Sequence, residues 1–473
     1  MFCVAGARGG VAGARGVAGA VVVAAVVVAV TALVGGACAS AAVVDDGGRG
    51  AVPAVAAIAL DAAVDVDVDG VVPTLAALVR AYHADRRGFR AAVVDQLTAA
   101  GAPVVEGGRG LRAGHPRPAL VLVARLQDVV DCAEDDVDAG VVAGEPPRVL
   151  GCGAQDLAGL ALFVTAVAAL PAAPVALLVA EDDDDIEALL PATAKHAWVA
   201  EGAFQSGVDV DVLDIVAAEP AWWSLALTGA DVDRVFVAAG RVVAWSPPPR
   251  LPVVVAERLA RLPPDGPLGL WRRDAVALAR DPALRALVVD DCGLADFDAG
   301  GAGSDAEARA RVRCRLLPGG DGGAFVDELD RVAADAAVAI AVEHSVAPSS
   351  TTLAAPVPTA LARRVVSFSP RAVAAPALSV LSRPSACGLL RARGLACVGA
   401  VPVLAHPQRR ARRGRPAQPA GDAVDVAALQ RGAAIAVAVV ADVVDAVGAG
   451  DAGDVVRQQG GLSPPAAAAR RPR

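Results

Sequence analysis

The sequence predicts an α/β fold built on a mainly parallel central sheet, on three observations. Pro118 to Ala124 (PALVLVA) and Val175 to Ala180 (VALLVA) are unbroken apolar runs, the pattern of strands covered on both faces. Between them a glycine turn (Gly151, Gly153) places Asp156 at the mouth of an apolar helical run from Leu157 to Leu170. Further on, Trp222 to Gly229 alternates as a half-buried strand does, which marks a second kind of sheet.

In chain order, Arg8 and Arg15 precede a nearly unbroken Ala and Val run, Val17 to Val34, that ends in Gly35 to Ala41. Its flanking charge, its length and its small-residue end predict a secretory signal or signal anchor over residues 1–41. No later stretch is read as membrane-directed. From Pro53 to Ala100, Leu75, Leu78, Val79 and Tyr82 recur at helical spacing. The buried strand at 118–124 follows, then the glycine turn, the helix and the strand 175–180, which runs into Glu181 to Asp185. Ligands of open α/β sheets gather at the carboxyl ends of strands, so acids there suggest a cation site, with a solvated acidic loop as the plainer reading.

After Trp222 to Gly229, Ala310 to Gly319 alternates with arginine outward and closes in a Pro-Gly turn. A helix over 324–333 and a strand over 337–342 complete that unit. Helices near 361–366, 386–393 and 424–447, and strands over 374–381 and near 397–401, make up the remainder.

The net charge of -9 excludes an extended nucleic-acid surface, which needs a basic footprint; the arginines from Arg409 to Arg415 read as a solvated loop. Eight cysteines without a C-x-x-C exclude a cysteine zinc site and read mostly as buried apolar fillers, with room for a disulfide or two. His196 reads as a structural imidazole.

The order of these pieces resembles the co-catalytic zinc exopeptidases that include aminoacylase, carboxypeptidase S, carnosinase and succinyl-diaminopimelate desuccinylase. In that family Gly-Arg-Gly-x-x-Asp-x-Lys-Gly supplies a carboxylate bridging two metals, and a following strand ends in Glu-Glu. Here Gly151 to Gly159 keeps Asp156 but not the arginine or lysine, and Glu181-Asp182-Asp183 follows. The family's His-x-Asp falls on Arg125 or Leu126 and on Gln127 or Asp128, and its Asp-Glu-Gly falls on Ala200-Glu201-Gly202. Its lid histidine and its last metal histidine have no counterpart at Gly229 to Asp233 or at Gln418 to Asp422.

The resemblance spans residues 50–447. It implies a catalytic-type domain over 42–218 and 346–455, an inserted α/β sandwich lid or dimerisation domain over 219–345, and a disordered tail over 456–473. It implies Asp156, Asp183 and Glu201 as metal ligands, Asp182 as a shortened general base and Asp128 as the second catalytic carboxylate. Two zinc ions are the implied cofactor, although an all-oxygen set suits Mg²⁺, Ca²⁺ or Mn²⁺ better and activates water poorly, so another divalent cation or none is also open. The implied activity is hydrolysis of peptide or N-acyl amino-acid amide bonds, impaired by the missing histidines; the alternative is an inactive homologue that binds or dimerises. Implied partners are a peptide or N-acyl amino acid and a second copy through the lid, with no nucleic acid and with membrane contact only through the N-terminal segment. Implied locations are the secreted, vacuolar or membrane-anchored ends of the secretory pathway.

Overall fold

The computed structural model describes residues 68, 70–84, 86–126, 140–151, 153–202, 204–205, 210–262, 274–299, 307–334, 337–379, 385–405 and 423–449. Asp128, residues 1–41 read as a secretory signal or anchor, the arginines from Arg409 to Arg415, the segment 418–422 and residues 456–473 read as a tail lie outside these residues.

The two apolar runs are adjacent parallel strands, Leu120–Arg125 and Val175–Ala180, in register from Leu120 with Val175 to Arg125 with Ala180. His196–Val199 flanks Leu120–Arg125, and Ala396–Gly399 flanks His196–Val199, both in parallel. The hairpin Val104–Gly107 and Gly110–Gly114 closes one edge of this sheet antiparallel. On the other side Asp211–Glu219 is antiparallel to Ala396–Gly399 and carries Ala372–Leu378 in parallel, so the eleven-stranded sheet is mixed.

Alternate residues of the same strands serve two cores. Leu120, Leu122, Leu177, Val179 and Trp198 pack with the helices Val71–Ala84, Ala154–Ala169 and Val426–Ala449. Val121, Val123, Leu178, Ala197 and Val199 face the helices Asp183–Leu189 and Ala386–Ala392. Burial on both faces is why these strands read as continuous apolar runs and not as alternation.

Some elements depart from expectation. The acids after Ala180 do not form a loop: Asp182 caps the helix Asp183–Leu189. The helix after the glycine turn starts earlier, at Ala154, so Asp156 lies in its first turn. A later run, Val426–Val447, is also long and apolar enough to cross a membrane, but it is 61% buried within the structure. It is apolar because it sits between other helices, and Arg363 and Arg364 of the helix Pro356–Phe368 pair with its Asp442 at 2.6 and 2.5 Å.

Residues 221–346 contain a separate four-stranded antiparallel sheet, ordered Asp291–Asp298, Ala308–Leu316, Ala221–Gly229, Ala339–Val346. Leu225, Leu227, Ala310 and Val312 face the helices Val232–Val243 and Gly322–Ala333 and make their own core. Its Pro-Gly turn is held by Asp290, whose carboxylate accepts from Leu317 N at 2.6 Å and from Arg250 at 3.0 Å. Two disulfides are present among the described residues, within the one or two that eight cysteines leave room for: Cys292 with Cys314 and Cys387 with Cys397.

Candidate functional site

Parallel register brings Arg125, Glu181 and the Ala200-Glu201 turn to one end of the central sheet, because Arg125 lies beside Ala180 and Val123 beside Val199. This carboxyl edge is where the open-sheet rule places ligands. His196 lies beside Leu120, at the opposite end of its strand, so its imidazole belongs to neither edge residue set. Burial, then Lys195, lowers its pKa.

The acid run is already matched with cations. The Arg125 side chain is 1% exposed, and its Nη1 stands 2.7 Å from Asp183 Oδ1. Arg109, carried by the edge hairpin, pairs with Asp182 and lies 3.6 Å from Glu181. Asp182 accepts from Asp185 N at 3.1 Å as a helix cap. Asp185 in turn accepts from Arg109 N and from Glu181 N, both at 3.1 Å. Carboxylates are favoured at a helix N-terminus by its exposed N–H groups and its dipole, so the run also has a structural use.

Behind this edge lies a buried polar layer that the sequence pattern did not reveal. Glu201 keeps some solvent contact as a residue, yet both its carboxylate oxygens are buried without a hydrogen-bond partner. Its methylene packs so tightly on Gly399 that a Cβ there would collide with Glu201 Cγ. Burial pushes the Glu201 carboxyl up to about 8, and Glu219 adds to the shift, while Arg391 and Arg125 oppose it.

Glu219 is 2% exposed and accepts from the Ser385 hydroxyl. Burial raises its pKa against the pull of Arg391 and Ser385. Arg391 donates to Thr351 Oγ1 at 3.0 Å, to Cys397 O at 2.9 Å and to Val216 O at 2.8 Å. Its Nη1 and Glu219 Oε2 are buried without partners. The only local hint of Arg391 is a guanidinium in the otherwise apolar helix ACGLLRA.

Of the sequence-predicted residues, the structure thus sets Asp182 against Arg109 and Asp183 against Arg125, while Glu201 lies in the buried layer, where Arg391 and Arg125 act on it only through their charge. Asp156 is exposed in the first turn of its helix, after Gly153 at φ 77°. Among the described residues no three His, Cys, Asp or Glu side chains group closely enough to hold a metal ion. The donors also fit a zinc pair poorly on their chemistry. A guanidinium stays protonated and has no lone pair to give, and the nearest carboxylates are committed to arginine or to backbone N–H groups.

No protein-family model matches the chain, and no curated protein matches it by sequence. Its fold, however, is shared with solved structures. Human carnosine dipeptidase 1 superposes with a TM-score of 0.52 at 11% identity, over 80% of this chain and 96% of that one. An M20 family metallo-carboxypeptidase from Sulfolobus solfataricus superposes with a TM-score of 0.51 at 12% identity, over 79% of this chain and 98% of that one. The chain therefore has the fold of the M20 metallopeptidases, the zinc exopeptidase fold that its order of motifs resembles.

Proposed function

We propose that this chain derives from metal-dependent hydrolases of peptide or N-acyl amino-acid amide bonds and has exchanged their zinc chemistry for arginine–carboxylate pairing. It binds such ligands without zinc-dependent turnover. One observation carries the reading: the buried guanidinium of Arg125, 2.7 Å from Asp183 at the carboxyl edge of the sheet. Hydrolysis by a metal centre needs a cation that polarises the carbonyl and a carboxylate free to take a proton from water. Asp182, expected as that base, is instead a helix cap paired with Arg109.

The test is made on the purified full-length chain. Metal content is measured by mass spectrometry, and cleavage of dipeptides and N-acyl amino acids is followed with Zn²⁺, Mn²⁺ or Co²⁺ added. The expected result is well below one zinc per chain and no metal-stimulated hydrolysis, with the same compounds still shifting the melting temperature. A content of about two zinc ions per chain together with turnover overturns the reading and returns the chain to the active hydrolases.

Residues 219–345 would then be an inserted lid that pairs two copies, between the two parts of the main domain at 42–218 and 346–455. Support comes from the separate core of its sheet and from the exposed outer strand Ala339–Val346. The disulfides Cys292–Cys314 and Cys387–Cys397 support an oxidising compartment and hence the leader read at residues 1–41.

A further inference from the structure

We propose that a cleft between the helix Val426–Ala449 and the strand Leu404–Ala405 binds a free monocarboxylate with an apolar chain, the chain buried in the cleft and the carboxylate on Arg431. None of the cleft's described lining residues belongs to the arginine–carboxylate edge of the sheet, so the zinc and turnover measurements neither support nor remove this site.

Three walls meet here. Ala428, Arg431 and Ile435 are spaced three and four apart and share one face of their helix. Gly432 beside them lets that helix lie against the chain at Pro402, since a Cβ there would stand 2.8 Å from Pro402 O. Pro402 and Leu404 form the second wall, and Leu404 pairs in parallel with Phe204, which brings that phenyl ring to the cleft. The third wall is the end of the helix Pro356–Phe368. Ser369 caps it, its N–H on Val365 O at 2.9 Å, and Pro370 cannot continue it, so Phe368 is left 41% exposed at the rim.

The space between these walls is about 210 Å³. An apolar cavity of ~150 Å³ stays dry and takes up benzene, so this one suits a chain of roughly six to eight carbons. Its floor is buried and apolar, made by Phe204, Ala428 and Ile435. Among the described lining residues only Arg431 and Ser369 carry polar side chains. The Ser369 hydroxyl is spent on Asp211, donating to its Oδ2 at 3.5 Å, and the buried Asp211 carboxylate puts negative charge behind it. Arg431 is exposed and has no ion-pair or hydrogen-bond partner among the described residues, so its guanidinium fork is open. A cationic ligand would meet that charge, and a neutral chain would leave it unused. A carboxylate takes it in the two-pronged geometry that guanidinium favours, while its chain fills the apolar floor.

The test is isothermal titration calorimetry on the purified full-length chain with octanoate as probe. Octan-1-ol keeps the chain without the charge, and acetate keeps the charge without the chain. Octanoate should saturate one site with a Kd on the order of 1 mM or tighter, octanol should bind more weakly, and acetate should not bind at the same concentrations. Arg431→Gln alters an exposed side chain and should melt as the wild type does. It should weaken octanoate about tenfold or more and leave octanol within about twofold. Phe368→Ala should weaken both. Octanoate that does not saturate, or acetate that binds as well, overturns the proposal. An Arg431→Gln chain that holds octanoate as tightly as the wild type also overturns it. A last arm needs no variant: raising NaCl from about 50 to about 500 mM should weaken octanoate and spare octanol, and an octanoate affinity indifferent to salt overturns the assignment to Arg431.

Discussion

Replacing Glu201 by glutamine changes almost no volume and removes an acid whose proton affinity burial strongly alters. In the folded chain its carboxyl is pushed from an ordinary 4.5 up to about 8, chiefly by burial and then by Glu219. Below the lower value both folded and unfolded chains hold the proton, and the group contributes no difference. As pH rises between the two values the unfolded chain releases the proton while the folded chain retains it, so wild-type stability falls; above about 8 the loss is complete. At about 1.4 kcal/mol for each tenfold change in proton affinity, the full loss is of the order of several kcal/mol, and more than half of it is incurred by pH 7.

Glu201→Gln keeps a neutral side chain of nearly the same shape in the same place. Urea unfolding of both proteins at intervals from pH 5 to 9 measures the difference. The variant should match the wild type to within ~1 kcal/mol near pH 5, exceed it by on the order of a few kcal/mol at pH 7, and stop gaining above about pH 8. Two stability curves that run parallel from pH 5 to 8 would refute the assignment of a protonated, enclosed Glu201. A variant that loses stability relative to the wild type as pH rises would refute it more strongly, because the sign would then belong to an acid held ionised.

Two further substitutions probe the fold. Asp290→Ala removes the carboxylate that holds Leu317 N and Arg250 beneath the Pro-Gly turn, and should destabilise the chain by ~3–5 kcal/mol in urea, the usual penalty for breaking a buried pair on one side. Leu429→Ala empties a fully buried position in the helix Val426–Ala449 and should cost about 2–5 kcal/mol; a loss under ~1 kcal/mol would mean that the helix does not pack in the core.

What could be read from the sequence, and what could not, divides on how far apart the interacting groups lie in the chain. Leu120 to Ala124 and Val175 to Ala180 declared themselves because both faces of each strand are covered, and Trp222 to Gly229 did so because one face is open. The acid run did not, because a helix cap and a cation site both call for carboxylates at the same place. What distinguishes them is the counter-charge, and that arrives from afar: Arg125 is 58 residues from Asp183, and the Arg109 backbone is 76 residues from Asp185. The polar layer is more extreme, with Ser385 166 residues from Glu219 and Arg391 175 residues from Val216, so no local spacing marks it. Arg125 itself was visible only as a misfit, a fixed cation that, with Leu126, is one of two residues falling where the resemblance expects a metal-binding histidine. Folding turns that misfit into the matching charge for Asp183, and the substitution and its partner have to be read together for either to make chemical sense.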